Sequence, residues 1–185
     1  MMKRWLAALA AMLGLMLLIA APLRAADLEN TLYLDLTYGR VVIELRPDLA
    51  PNHVKRIKEL VRKHFYDGIV FHRVIAGFMA QTGDPTGTGT GGSGQNLKAE
   101  FSNEHHVRGT VSMARANDPD SADSQFFICL ADAPWLDGQY TIWGKVVSGM
   151  EFVDQIHKGP ESDNGAVPEG ERDKIVKMQV AADAK

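Results

Sequence analysis

The chain has 185 residues, 20 Lys plus Arg against 23 Asp plus Glu, and one cysteine. That length suits a single compact domain. The acidic excess excludes a general attraction to nucleic-acid phosphates, and a lone thiol, Cys129, excludes an internal disulfide. The charge is uneven: residues 1–26 hold Lys3, Arg4 and Arg24 and no acid, so the remainder carries 17 − 23 = −6.

Lys3 and Arg4 open a run from Trp5 to Ala21 that is almost wholly apolar; Pro22 breaks it, and Ala25 and Ala26 follow. A positive start, an apolar stretch and a small-residue exit predict a secretory signal peptide over residues 1–26, cut after Ala25 or Ala26. The domain proper is then 27–185. The alternative is an uncleaved membrane anchor, but a span prefers about 20 apolar residues and this run is shorter.

Beyond the leader the apolar pattern has period two. Leu32, Leu34 and Leu36, then Val41, Ile43 and Leu45, predict two strands over 31–46 with a tight turn at Tyr38-Gly39. The period then changes: Pro51 suits a first helical position, and Val54, Ile57, Leu60, Val61 and His64 share one helical face. Short strands are predicted at 69–75, 78–82, 97–101, 109–114, 125–131, 140–147 and 174–180, with a second short helix over Met150–His157. Eight or so short strands with two helices predict a mainly-β domain, a closed antiparallel barrel capped by its helices.

Several chemical readings compete. Gly87, Gly89 and Gly92 satisfy a formal G-x-G-x-x-G, but a short strand and no helix follows it, so a mobile surface loop is the better reading than a phosphate cradle. The six histidines show no metal-ligand spacing, and no G-x-S-x-G elbow is present. The segment FHRVIAGFMAQTGD, residues 71–84, is more informative together with SQFFI at 124–128 and WLDG at 135–138. Alternation puts Phe71, Arg73 and Ile75 on one strand face, Met79 and Gln81 on another, and Gln125 with Phe127 on a third. Taken singly, each is more often core or solvated surface. Taken together, they make an apolar patch edged by one cation and two amides.

FHRVIAGFMAQTGD, GTVSMARA, SQFFICLA, WLDG and IWGKVVSGMEFVDQI occur in the order in which they occur in cyclophilins, and the chain resembles that family over about residues 31–180. The resemblance implies an eight-stranded antiparallel barrel with two capping helices and an active site on its outer surface. It implies peptidyl-prolyl cis-trans isomerase activity, with Arg73 as the catalytic arginine. Phe78, Met79, Phe127 and Leu136 would wall the pocket for the proline ring. Gln81 would orient Arg73 and touch the substrate, and Gln125 would meet the peptide further along. Ala114 and Arg115 would offer backbone groups, and Trp135 would stand at the edge associated with cyclosporin-like cyclic peptides. Two positions depart from the eukaryotic pattern: Arg115 stands where Asn is usual, and Tyr140 where His often borders the pocket. Both lean toward a bacterial member, which suits the signal peptide and the periplasmic location it predicts, and leave fine substrate and inhibitor preference open.

The resemblance implies no cofactor and no metal, and as partners proline-containing, unfolded or partly folded exported polypeptides. Membrane association is expected only if the N-terminal segment stays uncleaved. Two rivals remain: a holdase that grips proline segments in the same groove, and a nucleotide-binding protein using Gly87–Gly94.

Overall fold

The computed structural model describes residues 27–184; the predicted leader, residues 1–26, lies outside the described residues. Eight strands form one antiparallel sheet: β1 (Thr31–Leu36), β2 (Gly39–Leu45), β3 (Arg73–Ile75), β4 (Met79–Thr82), β5 (Thr110–Met113), β6 (Phe126–Cys129), β7 (Ile142–Ser148) and β8 (Ile175–Val180). Their order across the sheet is β3-β4-β6-β5-β7-β2-β1-β8. Helix α1 spans Pro51–Arg62 and the short α2 spans Met150–Val153.

Alternation explains β1 and β2. Leu32, Leu34 and Leu36 of the one and Val41, Ile43 and Leu45 of the other are buried, and their neighbours are not. Leu36 pairs with Gly39, so the turn between them is the dipeptide Thr37-Tyr38. The Phe152 ring lies 2.6 Å from where a Gly39 Cβ would stand, so any side chain here would displace α2.

Pro51 starts α1 as expected, since a first-turn residue needs no amide donor. The cap comes from afar: the Glu100 carboxylate accepts from the backbone N–H groups of Asn52 and His53 at 3.2 and 3.0 Å, and lies 2.7 Å from His53 Nδ1. This explains why the predicted strand over 97–101 is absent. Leu97 makes one isolated bridge to Ala122, and the next residues turn their amides to Asp120 and Thr141 and the Glu100 side chain to the helix end. His64 also departs from expectation. The helix stops at Arg62, and His64 takes a left-handed φ of 57° and turns its ring outward to Asp67.

The closure expected of the barrel is weaker than a full ladder. β3 and β8 end the sheet, and the chain between them is joined by the Val70–Lys174 bridge and by hydrogen bonds from Phe71 N to Asp173 O and from Ile175 N to Ile69 O. Phe71 therefore lies before β3 and points into the interior, not onto the Arg73 face.

Inside the barrel, Phe126 stands edge-on between Tyr66 and Trp143, with ring centroids 5.6 and 5.3 Å apart. All three are fully buried. Phe126→Ala should cost about 3–5 kcal/mol of unfolding free energy, read from denaturant melts; a loss below about 1 kcal/mol would mean that the interior collapses around the gap.

Candidate active site

The site is built on the outer face of β3, β4, β6 and β5. Val74, Ala80, Ile128 and Val111 are cross-strand neighbours, fully buried and turned to the barrel interior. One residue along, Arg73, Gln81, Phe127 and Ser112 form the corresponding row on the other face. Such alternation makes two apolar clusters from one sheet. The outer cluster comprises Met79, Phe127, Cys129, Ala133 and Leu136, with Ile75, Phe78, Ala114 and Tyr140 packed against it.

Arg73 is half-buried and held by neutral oxygens. Its Nε donates to the Asn164 carbonyl at 3.0 Å, Nη2 to Asn164 Oδ1 at 2.9 Å, and Nη1 to Gln81 Oε1 at 3.3 Å. Gln81 Nε2 then donates to Gln125 Oε1 at 2.9 Å, and Gln125 Nε2 to the carbonyls of Gly89 and Gly91. The cation thus sets the orientation of both amides, and the second of them reaches the glycine loop. Burial draws the Arg73 pKa below its ordinary value, with Tyr140 opposing; a guanidinium starts so high that it stays charged. Two of its five N–H groups have no partner among the described residues, and the side chain lines a cavity.

That cavity holds about 390 Å³ and is lined by Arg73, Phe78, Met79, Gln81, Ala114, Arg115, Phe127, Leu136 and Tyr140, together with His72, Gly87, Thr88, Gly89, Ala166 and Arg172. Phe127 and Tyr140 meet edge to face at 5.9 Å. Behind them the buried His106 ring stacks on Phe127 and lies 3.1 Å from Asp137 Oδ1 and 3.0 Å from Ser112 Oγ. Burial pulls His106 below its ordinary value against the pull of Asp137, so its neutral ring backs the wall. Burial does the same to His72, which lines the cavity and whose two ring nitrogens have no hydrogen-bond partner among the described residues.

The glycine loop is a loop, as expected, but a tethered one. The buried Asp84 carboxylate accepts from the amides of Thr86, Gly89 and Gly91 at 2.7, 2.6 and 3.1 Å. Asp123 accepts from those of Gly94 and Gln95, and Arg172 Nη1 donates to the Gly87 carbonyl. A phosphate would need the same amides that Asp84 already occupies, which removes the nucleotide reading. Among the described residues there is no cluster of three or more His, Cys, Asp or Glu that could hold a metal, and no helix long and apolar enough to cross a membrane.

Of the residues singled out from sequence, nine line this one cavity. Gln125 lines an adjoining depression and reaches the cavity through Gln81. Trp135 is 58 % exposed and packs on Phe78, ring centroids 5.5 Å apart, outside the cavity. Sequence reasoning missed Asn164, His72 and Arg172. Asn164-Gly165 is a readable turn signal, but its partnership with Arg73 depends on the Arg73–Ala166 bridge, a contact across 93 positions that no local pattern announces.

A helix-capped eight-stranded sheet curled on itself, with a cavity on its outer wall, defines the cyclophilin-like fold class. Residues 31–180 match the family described as "Cyclophilin type peptidyl-prolyl cis-trans isomerase/CLD". The "Probable peptidyl-prolyl cis-trans isomerase" of Brucella suis is 57% identical over 173 residues, covering 87% of this chain and 87% of its own. The peptidyl-prolyl cis-trans isomerase of Helicobacter pylori is 42% identical over 143 residues, covering 74% of this chain and 87% of its own. Among solved structures, a cyclophilin from Hirschia baltica superposes with a TM-score of 0.77 at 29% identity, covering 88% of this chain and 77% of that one. A cyclophilin-type isomerase of Cryptosporidium parvum, crystallised in the presence of the dipeptide Ala-Pro, gives 0.72 at 31% identity, covering 81% and 98%. The chain belongs to the cyclophilin-type peptidyl-prolyl cis-trans isomerase family.

Asp84 makes the loop sensitive to acid. Burial alone would raise its pKa, but the donors of Thr86, Gly91 and Gly89 outweigh that and hold it at about 2, below the ordinary 3.8. The folded state therefore binds fewer protons than the unfolded one, so this stabilisation is complete above about pH 4 and is lost as pH falls through about 2. Asp84→Asn should lose about 2 kcal/mol at neutral pH and show a shallower acid slope in denaturant melts than wild type. Equal acid slopes would contradict the assignment.

Proposed function

We propose that this isomerase accelerates Xaa-Pro exchange in exported, unfolded or partly folded polypeptides, with Arg73 stabilising the twisted amide. The observation that carries the reading is a tethered guanidinium, without a carboxylate partner among the described residues, at the edge of a cavity to which Phe78, Met79, Phe127, Leu136 and Tyr140 contribute apolar side chains.

The chemistry follows from the amide. Delocalisation of the nitrogen lone pair sets a rotation barrier of about 18–20 kcal/mol, and before proline the exchange takes tens to hundreds of seconds unaided. Twisting the bond returns the lone pair to a pyramidal prolyl nitrogen. A guanidinium N–H directed at that nitrogen stabilises the twisted state and not the planar one, which is the requirement for catalysis. No bond breaks and no proton transfers, so no base or nucleophile is required.

In this reading Phe78, Met79, Phe127, Leu136 and Tyr140 hold the ring while the preceding carbonyl turns. Gln81 keeps Arg73 aimed and contacts the substrate. Ala114 and Arg115 present backbone groups, Gln125 meets the chain further along, and Trp135 gives the rim an exposed aromatic surface for cyclic peptides of the cyclosporin kind. A holdase would need the apolar cavity but not a guanidinium fixed by three hydrogen bonds, so we prefer the enzymatic reading for the biological role.

Arg73→Ala should lower kcat/KM for Xaa-Pro exchange roughly 100-fold or more, the loss typical of one transition-state donor, with the melting temperature little changed. A folded Arg73→Ala protein that isomerises at the wild-type rate would rule the mechanism out.

Export rests on Lys3-Arg4, the apolar run to Ala21 and the small residues Ala25 and Ala26. The protein recovered from a producing bacterium should be periplasmic, with its N-terminus at Ala26 or Asp27. An intact N-terminus in the membrane fraction would replace export with anchoring.

A further inference from the structure

Eight arginines lie among the described residues. Arg40, Arg46, Arg56, Arg62 and Arg108 form salt bridges to carboxylates at 2.6–3.5 Å. The other three, Arg73, Arg115 and Arg172, form none among the described residues, and all three line the same cavity. Among the described residues, no carboxylate lines it with them. On a domain whose net charge is 17 − 23 = −6, the substrate face thus concentrates the unpaired guanidinium charge.

Arg115 is the cation of the three best placed to read a substrate side chain. Its Nε and Nη2 donate to the Gln139 carbonyl at 3.1 and 3.0 Å, and its Nη1 to the carbonyls of Ala116 and Asn117 at 2.9 and 3.2 Å. Its guanidinium carbon lies 4.6 Å from the centre of the Tyr140 ring. These partners fix the group and leave its full charge uncompensated, with one N–H on Nη2 unused. An arginine held this way loses little entropy when it meets an anion.

Its position matters as much as its charge. Arg115, Gln81, Gly89 and Ala114 line both the cavity and the adjoining depression that Gln125 lines, so Arg115 stands on the saddle between the two. Asp123 is the one carboxylate lining that depression, and it accepts from Ser93 Oγ and from the amides of Gly94 and Gln95. The depression at the far end is different. Arg172 is accompanied there by Asp67, Asp84 and Glu169, and its field is offset. The depression beside the saddle thus holds one guanidinium, Arg115, and one carboxylate, Asp123. The carboxylate is satisfied by three donors and the guanidinium is shared with the cavity, so a side chain that crosses the saddle meets the cation.

We infer that Arg115 is a specificity residue, and that the enzyme prefers Xaa-Pro segments carrying an aspartate or glutamate side chain on the flank that crosses into this depression. The inference rests on the isomerase reading and adds the substrate class. Because the saddle is half-exposed, the pair is worth what partly solvated ion pairs are worth, about three- to fivefold in kcat/KM at low salt.

The test compares paired peptides in which Glu or Gln occupies the second position before or after proline, assayed by exchange spectroscopy. Wild type should favour Glu about three- to fivefold at one of the two positions, and about 0.5 M salt should erase the preference. The Glu-to-Gln ratio should fall to about one in Arg115→Gln and persist at least in part in Arg115→Lys, which keeps the charge. A wild-type ratio of one at both positions would overturn the inference, as would a preference that survives in Arg115→Gln or is equally absent from Arg115→Lys. Wild-type protein that accelerates none of the peptides would instead remove the isomerase reading on which it stands.

Discussion

Arg73 is a charged group held in place entirely by neutral oxygens, and most of the site follows from that arrangement. A carboxylate partner would have fixed the side chain more firmly but would have spent its charge. The two oxygens of Asn164 and the amide of Gln81 fix it and leave the charge to act on whatever enters the cavity. Half-burial strengthens that field, since fewer water dipoles oppose it. The arrangement needs Asn164 beside Arg73, and that contact exists only because residues 164–167 lie along the free edge of β3.

A single sheet supplies both the scaffold and the cavity. Its inner row, Val74, Ala80, Ile128 and Val111, belongs to the interior core, and the outer row one position on belongs to the site. Because the two rows are fixed by one register, a slip that moved Arg73 would also drive core residues outward. Packing around Phe126 and Trp143 therefore holds the register on which the geometry of the cavity depends. The glycine loop joins the same unit through Gln125 and is tied down independently by Asp84 and Asp123, so the cavity rim is a hydrogen-bonded structure and not a flap.

The parts of this protein legible in its sequence are those with local periodicity or ordered motifs. The β1–β2 hairpin, the Pro51 helix and the row carrying Met79, Gln81 and Phe127 follow from spacing, and the cyclophilin resemblance brought nine residues to one cavity. What escaped was set by distant contacts. Residues 97–101 look like a strand, but Glu100 serves as the N-terminal cap of α1 across 48 positions. His64 fits the helical stripe, yet the helix has already turned left-handed there. Phe71 alternates with Arg73 on paper, but the strand begins only after it. Gly87–Gly94 reads as mobile because the anchors, Asp84 apart, lie on other segments.

The central claim is that an uncompensated charge at Arg73, and not merely a donor in the right place, drives isomerisation. Asn164→Asp tests it most directly, since Asp can keep the hydrogen bond to Nη2 while adding a negative charge beside it. Measured by exchange spectroscopy on an Xaa-Pro peptide at neutral pH, the folded Asn164→Asp protein should lose about tenfold or more in kcat/KM, the equivalent of roughly 1.4 kcal/mol of transition-state stabilisation. An unchanged rate would show that charge on Arg73 is not what the enzyme uses.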